Sequence, residues 1–85
     1  MAESSITVVE QRGSHQLVRQ GARFAVLEHR NGLVYGVHEG ARDGYPESAQ
    51  GIRAAVGADW VGEAEARERF REAVARGEQV AQRLW

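Results

Sequence analysis

The chain begins in short apolar runs broken by glycine and ends in a long three- and four-residue repeat. Residues 6–11, Ile-Thr-Val-Val-Glu-Gln, are rich in β-branched side chains and predict a first strand. Arg12-Gly13-Ser14 signals a turn, and residues 16–19 a short second strand. Gln20-Gly21 reads either as a tight turn or as a bulge within a longer strand, and the pattern does not choose between them. Residues 23–29 and 33–38 are the clearest pair of apolar runs, and Asn31-Gly32 lies between them. That dipeptide predicts a two-residue hairpin, because a type I′ turn needs two residues that tolerate positive φ.

A two-residue turn sets the register. It pairs Arg30 with Leu33, His29 with Val34, Glu28 with Tyr35, Leu27 with Gly36, Val26 with Val37 and Ala25 with His38. One face then carries Phe24, Val26, Leu33, Tyr35 and Val37, with Glu28 near its edge. The other carries Ala25, Leu27, Val34 and Gly36, with His29 and His38 among them.

After a loop at residues 40–45, Pro46 suits the first turn of a helix, where its missing N–H is not needed. Ala49, Ile52, Ala55 and Val56 fall on one side of a short helix that Gly57 closes. Asp59 is the expected N-cap of the next helix, with Glu63 in its first turn. Over residues 62–85, Ala66, Phe70, Ala73, Val74, Gly77, Val80, Ala81 and Leu84 form one apolar stripe. Phe70 is expected against Phe24, Val26 and Tyr35. The expected fold is α+β, one small domain over residues 1–85. It is an antiparallel meander of three or four strands, then a short helix and a long C-terminal amphipathic helix across one sheet face.

With 85 residues the core is thin. No cysteine is present, which removes disulfides, thiolate metal sites and thiol nucleophiles and points to the cytoplasm. No apolar run is long enough to span a membrane, and the first residues lack the pattern of a signal peptide. All eleven basic residues are arginine, so lysine Schiff-base chemistry and a Walker-type lysine do not arise. The net charge of −1 is evenly spread, which argues against a nucleic-acid footprint.

Candidate chemistry is sparse. His29 and His38 share a face but stand about four residues apart along the strands, roughly 13 Å, too far to ligate one zinc. His15 is not constrained by that argument, and all three read as surface or edge histidines. Most carboxylates lie on the long helix four residues from an arginine: Glu63 with Arg67, Glu65 with Arg69, Glu72 with Arg76. Glu28, beside Tyr35, is the exception. No serine sits in a nucleophile elbow, and no glycine pattern forms a phosphate loop. The loop at residues 42–46 has mixed polar and aromatic content but reads as a connection. No catalytic, cofactor or metal residue is assigned.

Trp60 reads as an anchor for the start of the long helix. Trp85 either caps the core or offers an aromatic to a partner. Three antiparallel strands followed by a helix resembles, in layout, the plant-type AP2 DNA-binding domains, which use an Arg- and Trp-rich sheet face. The second face here is Ala, Leu, Val, Gly and His. One long helix covers one face only, and the short helix, interrupted by Gly51 and lined mostly by alanine, looks a poor cover for the other. The expectation is therefore a non-catalytic protein–protein interaction module. It would form a homodimer, through the second face or through sheet edges, or bind an unidentified protein partner. Ala25, Leu27, Val34 and Trp85 are the candidate interface. A small nucleic-acid-associated regulator is the alternative, although nucleic acid is not an expected partner.

Overall fold

The computed structural model describes residues 5–38 and 43–83, with side chains through Gly77. Strands β1 (Ile6–Arg12), β2 (His15–Gln20), β3 (Arg23–Arg30), β4 (Leu33–Gly36) and β5 (Tyr45–Pro46) precede helices α1 (Ala49–Val56) and α2 (Glu63–Arg83). The sheet is an antiparallel meander in the order β1-β2-β3-β4-β5, so every strand pairs with its neighbour in sequence. The α+β fold stands, with one more strand than the sequence suggests. Pro46 belongs to that added strand rather than to a helix, and Ser48 caps α1 instead, its hydroxyl accepting from the Gly51 N–H at 3.0 Å.

Three two-residue turns set the register. Asn31 and Gly32 both have positive φ, 53° and 79°, as a type I′ turn requires. The β3–β4 pairing runs as expected from Arg30–Leu33 to Leu27–Gly36. Gly21 has φ 62° between the paired residues Gln20 and Arg23, so the chain turns at Gly21-Ala22 and Gly21 is not in a bulge. The bulge lies in β1 instead, between Val8 and Glu10. It puts Val8 beside Val18 and Glu10 beside Leu17, on opposite faces.

Both faces of the central strands are buried. Leu17, Phe24 and Val26 pack against Ala66, Phe70 and Ala73 of α2. Val18, Ala25, Leu27 and Val34 pack against Ala55 and Val56 of α1. The helices therefore cover opposite faces of the sheet. Residues 24–27 are all buried, as strands covered on both sides must be.

Glycine explains why a short helix suffices as cover. A Cβ at Gly51 would overlap the carbonyl oxygen of Pro46, and one at Gly36 would overlap that of Ala55. Backbone meets backbone at both points, so α1 sits close enough for Ala55 and Val56 to seal Leu27 and Val34, each 0% exposed. Gly51, read from the sequence as an interruption, is what seats the helix.

The chain then changes faces. Phe24 and Val61 exchange two backbone hydrogen bonds, 2.7 and 2.9 Å. On this extended segment Trp60 packs with the α1-side cluster and Val61 with the α2-side cluster. Trp60 thus anchors the α1 side rather than the start of α2. Asp59 does not cap α2, which begins four residues later. Its carboxylate takes Arg69 instead, on the second turn of that helix.

Candidate functional site

Ala25, Leu27 and Val34 lie beneath α1, 4%, 0% and 0% exposed, and present no surface to a partner. This corrects their assignment as interface residues. The expectation failed because it judged α1 by the size of its side chains and not by how closely its backbone approaches. For the same reason this face offers nothing like the DNA-reading sheet of the AP2 layout. Trp85 lies outside the described residues, as do the side chains of Val80, Ala81 and Leu84.

The open part of the sheet is β1. It runs for seven residues and pairs on one side only, with β2. Among the described residues, Val8 and Val9 are the large hydrophobic side chains that stay exposed, at 49% and 38%. At the opposite edge, β5 has two residues and packs against α1. β1 is also tied to α2, since Arg67 reaches Glu10 at 3.6 Å. The groove between the β1–β2 hairpin and α2 is lined by Glu10, Arg12, Arg67, Phe70, Arg71, Val74 and Ala75.

On the α2 side of the sheet a polar row crosses the strands. Arg12 pairs with His15, His15 with Glu28, and Glu28 with Tyr35. His15 is nearly buried and lies 3.8 Å from Glu28, too far for a hydrogen bond. Arg30 holds the same carboxylate at 3.2 Å and stacks over the Tyr35 ring at 4.2 Å. Tyr35 consequently belongs to this row and not to the Phe70 cluster. Gly77 of α2 passes over His15, where an added Cβ would come within 3.3 Å of the ring. His15, Glu28 and Arg30 line an open cleft together with Asp59, Arg69, Glu72 and Arg76.

The other two histidines sit on the α1 side with separate partners. His29 meets Gln16 Oε1 at 2.6 Å and Glu47 at 3.0 Å, and Gln16 donates to Gln11 at 3.4 Å. His38 Nε2 lies 3.2 Å from the Ala55 carbonyl oxygen and donates to it. Among the described residues no three His, Asp or Glu side chains converge in a way that could hold a metal ion.

Sequence reasoning missed β1 as the open edge and missed His15 as a nearly buried side chain. The first had a signal in Val8-Val9, two adjacent valines in a strand with polar flanks. The second had none, because Gly77, the helix position that passes over His15, lies 62 residues away in the chain. No family model, curated protein or solved structure matches this chain.

Proposed function

We propose that this chain is a small non-catalytic protein–protein interaction module that self-associates through the free edge of β1. The observation that carries this reading is the combination of an unpaired seven-residue edge with two exposed valines on the same strand. An unpaired edge offers a row of backbone donors and acceptors to another strand. A second copy supplies a matching strand, and closed two-fold dimers are the commonest solution for soluble oligomers.

The polar groups support a non-catalytic role. Glu28 is held by Arg30, and His29 is engaged at both ring nitrogens. Neither is left as an activated base beside a nucleophile. Arg67 and Arg69 are likewise engaged by carboxylates, which favours this reading over the nucleic-acid regulator. A cytoplasmic location suits a chain without cysteine.

Sedimentation equilibrium over a wide concentration range tests the proposal, with wild type beside Val8→Lys and Val9→Lys. Wild type is expected to dimerise, and both variants to stay folded and monomeric, since a lysine on an edge strand blocks pairing. A wild type that remains monomeric at roughly millimolar concentration, where even weak specific pairs form, overturns it.

A further inference from the structure

Charge is unevenly distributed in one place. The groove between the β1–β2 hairpin and α2, about 380 Å³, brings three guanidiniums to one carboxylate. The chain as a whole carries −1. Arg67 is occupied, bonding Glu63 at 2.9 Å and reaching Glu10 at 3.6 Å. Arg12 and Arg71 make no ion pair or hydrogen bond with any described residue. Elsewhere Arg30 holds Glu28, and Arg69 holds Asp59 and Glu65. With Glu63 counted beside Glu10, the groove keeps one net positive charge, and Arg12 and Arg71 are its unpaired guanidiniums. The same groove is lined by Val74 and Ala75, with Phe70 almost wholly buried beneath them. An adjoining cavity of about 530 Å³ shares Glu10, Arg12 and Val74 and continues to His15.

We propose that this groove binds a small organic carboxylate with an apolar body. The carboxylate is taken by Arg12 and Arg71, and the body lies against Val74 and Ala75. A guanidinium presents parallel N–H donors at the spacing of two carboxylate oxygens, so two forks from different elements hold and orient one such group. The apolar lining adds contact that inorganic phosphate lacks the body to use, which selects an organic acid over a bare anion. The volume suits a small molecule. Arg12 comes from the sheet and Arg71 from the helix above it, so occupancy joins the two layers at the side where Glu10 and Arg67 already do.

The test is an amide-shift NMR titration of the full isotope-labelled chain with sodium benzoate, benzamide and sodium phosphate in parallel. Benzoate is expected to shift the Arg12, Arg71 and Val74 amides along one saturating curve. Benzamide, the same shape without charge, is expected to bind about tenfold more weakly or worse, because it loses the charge-assisted bonds. Arg12→Gln and Arg71→Gln are each expected to weaken benzoate about fivefold or more with unchanged melting temperature, and Arg76→Gln, outside the groove, to leave it unchanged. Equal binding of benzoate and benzamide, shifts scattered over the surface without saturation, or full affinity in both groove variants overturns the proposal. Phosphate binding more tightly than benzoate overturns the assignment to an organic acid.

Discussion

Two glycines at the α1 contact matter through the side chain they lack. Gly51 and Gly36 each occupy a point where a methyl group would strike a carbonyl oxygen of a neighbouring element. Gly51→Ala ordinarily favours a helix by about 1 kcal/mol. Here it should destabilise instead, by roughly 1–3 kcal/mol, because α1 must lift off β5 to accept the methyl. Chemical denaturation measures this, and a stabilised variant would show that α1 is seated some other way. Phe70→Ala removes the largest side chain that α2 places in the core, 3% exposed between Phe24 and Val26. Its expected cost is roughly 3–5 kcal/mol, seen as a fall in melting temperature of well over 10 °C, since a domain of this size loses about 4–8 °C per kcal/mol. The position of Phe70 was readable from the stripe it shares with Ala66 and Ala73. Its neighbours were readable only in part, because Tyr35 turns to Arg30 for a stacking contact that no periodicity encodes.

Among the elements, β1 carries the clearest irregularity. Its bulge interrupts the row of edge groups between Val8 and Glu10 and adds local twist, so regular pairing with another chain is confined to the stretches on either side of it. Deleting Val9 should restore an unbroken ladder with β2. If β1 pairs with a second copy, the deletion is expected to tighten self-association or cause aggregation, which light scattering would follow. Unchanged behaviour would place the contact elsewhere. The bulge was invisible in the sequence, because Val8-Val9-Glu10 fits a regular strand equally well, and the one ambiguity that did show, at Gly21, resolved as a turn. The β3–β4 hairpin was legible residue by residue, since Asn31-Gly32 permits so few turns. The cover over Leu27 and Val34 was not legible, because it depends on backbone approach between α1 and two strands distant in sequence.

For the whole molecule, charge and layering decide what surface is left. Two of the three helix ion pairs expected from spacing form, at 2.9 and 2.7 Å, while Glu72 and Arg76 do not pair. With a net charge of −1, and with Arg30, Arg67 and Arg69 engaged by carboxylates, binding to duplex DNA should be weak and non-specific. Fluorescence anisotropy at increasing salt would check this. A log–log slope of several units would reveal several phosphate contacts and favour the regulator reading. Dimer tests must likewise respect the layering. Leu27→Glu buries a carboxylate between sheet and α1 and would unfold the chain whether or not it dimerises, so only the exposed valines of β1 separate association from stability.

The order of the elements has a consequence for how the chain is made. All five strands precede both helices, and each helix covers a different face. During synthesis the sheet leaves the ribosome with Leu17, Phe24 and Val26 bare on one side and Val18, Leu27 and Val34 bare on the other. α1 arrives first and closes one side. Only the final third of the chain supplies α2 for the second. Until then the nascent protein displays an apolar face and the open β1 edge together, the combination that makes a partly folded chain prone to aggregate.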